Sequence, residues 1–299
     1  MRYLVLPALL LAACGSPDAE EARRTFLQTL LNNDYDALMP AFDGLAEVYR
    51  ADPKDPKSTL YFAHAHLWRI AEWERSPDPD PSLRGQMAAE GLRLFREARE
   101  LSPDDARIDG WIGTLSAALG KTLGNAALVE RGYQSVERGW ARWPEFNGVT
   151  ILLAYGDLPT SDPHFQRSLE VAWETFEVCV GGPIDRENPD YGQYIPKQPY
   201  TGERRVCSNE DVSPHNFEGF WLQIGDMLVK NGDVRRARII YNNTRYSSTY
   251  DTWPYKSMLE GILADDLEHK AALFRDPDPS KHPLIASQST HACTSCHSR

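Results

Sequence analysis

One recurring spacing limits the folds open to this chain more than any other feature. It runs from a small or apolar residue to apolar positions four and seven residues later, then to a proline five beyond that. It occurs as Ala41/Leu45/Val48/Pro53, Gly91/Phe95/Ala98/Pro103 and Gly132/Val136/Gly139/Pro144. Steps of three and four put side chains on one face of an α-helix, and a proline that cannot continue the helix marks its end. The same periodicity runs through Phe26, Leu27, Leu30 and Leu31, and through Leu38, Phe42, Leu45, Val48 and Tyr49, with Asn33 or Asp34 placed to cap the second stretch. A third helix is predicted from about Ser58 to Arg75, closed by the run Ser76-Pro-Asp-Pro-Asp-Pro81. No alternating strand pattern of useful length interrupts these segments, so the chain is expected to be all-α.

The spacing resembles the second helix of a tetratricopeptide repeat. Its first-helix half is echoed by Trp221, Ile224, Gly225, Leu228, Gly232, Ala237 and Tyr241, and by Gly113 and Gly120. The units start at 41, 91 and 132, so the repeats are degenerate and carry insertions. The resemblance implies an α-solenoid body over residues 22–274, in which stacked helical hairpins leave a concave surface for partners. Residues 181–212 break the pattern with interleaved prolines and tyrosines, and a loop this long in a compact domain is often functional. It is expected to lie over the concave face or against a cofactor. Ser213-Pro214 is read as the N-cap and first residue of the next helix. Further helices are predicted at 235–241 and 252–274, before Asp276-Pro-Asp-Pro279 stops the last one.

The N-terminus reads as an export signal. Met1-Arg2 precedes the apolar run Tyr3 to Leu11, too short to span a bilayer permanently, and the run ends in Leu11-Ala12-Ala13-Cys14. That ending resembles a bacterial lipobox. The resemblance implies removal of residues 1–13, acylation of Cys14 and a tether over 14–21. The Gly15 that follows resembles an outer-membrane sorting signal. Net charge is −11 in a chain of 299 residues that is 41% hydrophobic, a surface that does not favour nucleic acid. Of five cysteines, Cys14 is assigned to lipid and two more lie in the tail. The remaining pair, Cys179 and Cys207, is most simply a disulfide in an oxidising compartment, worth about 3 to 4 kcal/mol by chain entropy.

The sharpest chemical signal is the last nine residues, beginning at His291 and containing Cys293-Thr-Ser-Cys296-His297. Cys-x-x-Cys-His is the attachment sequence of c-type haem: two thiols reach the two vinyl groups and the adjacent imidazole ligates iron. Cys-x-x-Cys alone also serves thioredoxin-like and zinc sites, but no βαβ pattern precedes it and no second ligand pair completes a zinc site. Only Ser298 and Arg299 follow, so the tail, linker included (275–299), cannot wrap a haem by itself. It must pack on the helical body, on a second copy or on a partner. His297 is the expected proximal ligand. His282, on a linker expected to be polar and flexible, His215, His269, Met227 and Met258 are candidates for the opposite side, as is an open position. His291 is too close along the chain to reach that side. His64 and His66 face different directions on one helix, which argues against a metal site shared by the two.

No hydrolytic motif stands out. The expectation is a membrane-anchored, extracytoplasmic c-type cytochrome that carries one haem c and passes electrons to or within a protein partner. The alternatives are a haem-free scaffold lipoprotein, whose terminal cysteines hold a metal or a disulfide, and a haem enzyme acting on peroxide or a small gas.

Overall fold

The computed structural model describes residues 18–76, 79–195, 200–208, 211–286 and 292–299. Every regular element among them is helical. Five antiparallel pairs follow one another along the chain. These are α1 (Ala19–Leu31) with α2 (Leu38–Ala51), α3 (Pro56–Ala71) with α4 (Pro81–Leu101), and α5 (Ala106–Thr122) with α6 (Ala126–Arg142). Next come α7 (Pro144–Tyr155) with α8 (Pro163–Val180) and α9 (Asn216–Lys230) with α10 (Val234–Asn243). The first helices of neighbouring pairs also touch, α1 on α3 and α5 on α7. Three short helices follow, α11 (Lys256–Ala264), α12 (Leu267–Leu273) and α13 (Thr294–His297).

The helix starts are written in the sequence. Asp55, Asp80 and Asp162 each accept backbone N–H bonds with their side chains, and proline occupies the first helical turn that follows. The carboxylate satisfies donors that have no partner inside the helix, and proline has no N–H to satisfy there. The small and apolar positions of the recurring spacing fall on α2, α4 and α6, the second helices of successive pairs, and are buried, while its prolines lie just beyond those helices. Gly132 shows why small residues are needed. A Cβ on it would lie 2.6 Å from the Ala117 backbone nitrogen and 2.7 Å from the Gly113 oxygen, so α5 and α6 meet backbone to backbone.

Two apolar clusters hold the pairs together. One joins Phe26, Leu45, Trp68, Phe95 and Ile108 across α1 to α5, and the other joins Ile151, Phe165, Trp221, Tyr241 and Trp253 across the remainder. Each fully buried large side chain contributes about 1.5–3 kcal/mol relative to exposure.

Several boundaries differ from the sequence expectation. The tether ends sooner, because the Asp18 side chain caps a helix beginning at Ala19. The α2 start has no side-chain cap, although Asp34 accepts from the Ala37 nitrogen at 3.1 Å. α3 stops at Ala71, and Glu72 turns inward to accept from Trp68 Nε1. The stretch 252–274 breaks into α11 and α12, with Asp266 capping the second. Nor is the segment after 275 simply a polar linker: Ile285 and Ala286 are buried, and Ala286 N–H donates to Asp226 Oδ2 at 2.8 Å. Asp226 also accepts from Tyr241 Oη and Lys270, so this carboxylate ties the approach to the tail onto α9 and α10.

Candidate functional site

The C-terminal tail is docked into the helical body by hydrogen bonds to both halves of the chain. Glu72, buried at the end of α3, accepts the backbone N–H of Cys293 at 2.8 Å and of Thr294 at 3.1 Å through Oε1. Its other oxygen accepts from Trp68 at 3.0 Å and Arg75 at 2.7 Å. From the other half, Trp253 Nε1 donates to Ser295 O at 2.8 Å, and Tyr255 shares a 2.6 Å hydrogen bond with Thr294 Oγ1. His215 N–H donates to Cys296 O at 3.0 Å, and Arg299 N–H closes on Leu31 O at 2.8 Å. α13 therefore bridges α1 and α9, which lie nearly two hundred residues apart in sequence.

Cys293, Cys296 and His297 are brought together in this single helical turn, and the two thiols are free. Burial pushes the Cys293 thiol well above its ordinary range, with the Glu72 carboxylate adding to the effect, and it pushes Cys296 to about 11. Both are neutral thiols at physiological pH. Gly219 on α9 makes the room for Cys296: a Cβ there would meet its Sγ at 2.2 Å.

His297 has a defined tautomer. Its Nδ1 lies 2.7 Å from Val212 O, a carbonyl that can only accept, and 3.0 Å from Ser213 Oγ. Nδ1 therefore carries the proton and Nε2 keeps its lone pair. A ring N–H anchored on a backbone carbonyl is the arrangement that orients metal-ligating histidines. Ser213 is not an N-cap: α9 starts at Asn216 with His215 in the capping position, which leaves the Ser213 hydroxyl to face the tail. Burial lowers the His297 pKa, partly offset by the Val212 contact and the Glu72 charge.

The Cys179–Cys207 disulfide is formed, with Cα atoms 5.6 Å apart. It pins the long loop to α8, and the loop then runs along α7, where Glu203 O accepts from Trp143 Nε1 at 3.0 Å. The same loop ends at Val212, so the segment stapled by the disulfide delivers the carbonyl that holds His297. A disulfide in the body hints at an oxidising compartment outside the cytoplasm. Among the described residues, no helix is long and apolar enough to cross a membrane.

The histidines and methionines proposed for the opposite side of an iron are scattered. Met227 is fully buried in the C-terminal cluster and Met258 packs against its edge. His215 is buried with Nδ1 3.1 Å from Glu218 Oε1. His269 is exposed, and so is His282, whose Nε2 lies 2.8 Å from Asp276 O. Cys14 and His291 lie outside the described residues.

Sequence reasoning passed over Glu72 and Gly219, and considered His64 only as a partner of His66. His64 sits half-buried on α3, and its Nδ1 donates to Leu60 O at 2.9 Å, so its Nε2 also keeps a lone pair. Burial holds its pKa down at about 4, and charges on Arg107 and on His297 add to that effect. His64 begins an aromatic line across three helices. Its ring centroid lies 5.8 Å from Trp111 on α5, which lies 6.2 Å from Phe146 on α7. The Trp111 Nε1 is buried without a hydrogen-bond partner among the described residues. No known protein family matches this chain, and neither a curated protein nor a solved structure is significantly similar to it.

Proposed function

We propose that this protein is an extracytoplasmic, lipid-anchored c-type cytochrome, in which a tetratricopeptide-like helical solenoid presents one covalent haem for electron transfer to a protein partner. The observation that carries the reading is the state of the tail. Two unbridged thiols sit one helical turn apart beside an imidazole whose Nδ1–H is fixed on Val212 O, leaving Nε2 free. These residues fit a haem. Cys293 and Cys296 would hold it through thioethers, each formed by adding S–H across a vinyl double bond with no net oxidation, and His297 would ligate the iron. Cys293 packs against the N-terminal apolar cluster, as do half-buried apolar side chains of α3 and α5, and a porphyrin needs apolar surroundings of that kind. When bound, the group supplies a one-electron couple. The chain's own part is to orient His297 through Val212 and Ser213, to hold the attachment turn through Glu72 and Trp253, and to limit water at the sulfurs by burial. Acylation of Cys14 would keep the protein at a membrane, since several acyl chains on one terminus anchor stably.

The test is a pyridine haemochrome spectrum of the full chain produced with a haem-maturation system. The reading requires one haem per chain that resists acid–acetone extraction and is lost in Cys293→Ala/Cys296→Ala. A wild-type chain without that spectrum is the scaffold alternative.

A further inference from the structure

We propose that His64, on α3, is the second axial ligand of the haem iron, opposite His297. This rests on the haem reading above and adds the residue that completes the coordination.

Four observations converge on His64. Its Nδ1–H is spent on Leu60 O at 2.9 Å, so Nε2 is the free nitrogen, the same tautomer that Val212 imposes on His297. A backbone carbonyl on the distal nitrogen is what orients a ligating imidazole and raises its basicity. Position along α3 provides the second. Glu72, eight residues on from His64, binds the Cys293 and Thr294 amides, so the helix that fixes the attachment turn carries His64 about 12 Å away along its axis. Leu67 and Ala71 continue the half-buried stripe of Leu60 and His64 toward Glu72. Third, the His64 ring is held edge-on by Phe95 at 5.2 Å and Trp111 at 5.8 Å, which leaves it little freedom to swing away. Fourth, buried polar groups are normally paired, yet Trp111 Nε1 beside His64 has no partner among the described residues. An anionic haem propionate is an acceptor of the kind that this N–H lacks.

The other candidates are placed badly for the role. Met227 is enclosed in the C-terminal cluster and Met258 packs against its edge, His269 and His282 are exposed, and His215 is buried at the start of α9 with Nδ1 on Glu218 and its backbone N–H on Cys296 O. Helical periodicity excluded a site shared by His64 and His66. It left open a site shared by His64 and a residue 233 positions later.

The experiment uses the full haem-loaded chain, with haem content fixed independently by the pyridine haemochrome. Electron paramagnetic resonance and near-infrared magnetic circular dichroism should show six-coordinate, low-spin, bis-imidazole iron that does not take up carbon monoxide on reduction. His64→Ala should retain its covalent haem, lose the low-spin signature and gain carbon monoxide binding, and added imidazole should restore the wild-type spectrum. His64→Met, which keeps most of the side-chain volume, should convert the spectrum to the histidine–methionine type. Bis-imidazole iron that persists in both variants overturns the assignment, as does five-coordinate or histidine–methionine iron in the wild type. In each of those cases the covalent haem itself stands, whereas a chain lacking covalent haem removes both proposals.

Discussion

Replacing Glu72 by alanine tests whether the C-terminal tail is held in place by this one carboxylate. Glu72 Oε1 accepts the Cys293 and Thr294 amides at 2.8 and 3.1 Å, and Oε2 accepts from Trp68 and Arg75. Hydrogen bonds to a charged group contribute about 1.5–3 kcal/mol each, less than additively when they share an acceptor. Losing the two tail donors should therefore weaken docking of residues 292–299 by about 2–4 kcal/mol. At about 1.4 kcal/mol per factor of ten, the open state of the tail becomes about 30- to 700-fold more populated. Total stability should fall by about 3–5 kcal/mol, because the Arg75 guanidinium and the Trp68 N–H also lose a buried partner. Hydrogen exchange by mass spectrometry on the haem-free protein reads the local term, and urea unfolding reads the global one. Amides of Cys293, Thr294 and Cys296 should exchange faster by that factor, while α7 and α8 amides change only with global stability. Unchanged exchange at Cys293 and Thr294 in a folded Glu72→Ala protein would refute the idea that Glu72 docks the tail.

Three further outcomes follow from particular contacts. Removing the Cys179–Cys207 bridge with paired serines should cost about 3–4 kcal/mol, given a sequence separation of 28, seen as a lower urea midpoint than in the non-reduced wild type; equal midpoints would mean the loop is held without it. Gly219→Ala places a methyl group 2.2 Å from Cys296 Sγ. It should cost about 1–2 kcal/mol after the helix-propensity gain, and peptide mapping should find Cys296 under-modified by haem; a neutral variant with full attachment would show that the turn has slack. Burial holds the His66 pKa at about 4, against 6.5 when free. Below pH 6.5 the unfolded chain takes a proton that the folded one refuses, so this group's contribution to stability falls between pH 6.5 and 4, by roughly 3 kcal/mol in all. His66→Leu should flatten that part of the stability–pH curve, and an unchanged slope would refute the assignment.

The helical pairs were legible because their signals are local. Asp-Pro starts, the small residues of α4 and α6, and the apolar stripes each act within one helix or between sequence neighbours. The C-terminal turn stands out in the sequence because Cys293, Cys296 and His297 lie together in the chain, and the structure keeps them in one helical turn. What holds that turn was not legible. Glu72, Val212 and Trp253 reach it from three separate segments, and no periodicity reports which helix faces meet across two hundred residues. Ser213 illustrates the limit: it has the composition of an N-cap, yet the helix begins at Asn216 and the hydroxyl turns to His297. Residues 275–286 read as linker by composition, while two apolar residues, Ile285 and Ala286, and one carboxylate, Asp226, were enough to dock them.

The central claim is that Cys293 and Cys296 carry a covalent haem in the exported protein, and an intact mass of the mature chain isolated from its membrane fraction tests it most directly. The account predicts a chain beginning at Cys14, heavier than its polypeptide by acyl groups and one haem, and lighter by the two hydrogens of the Cys179–Cys207 bridge. A mass explained by polypeptide, acyl groups and disulfides alone would contradict it.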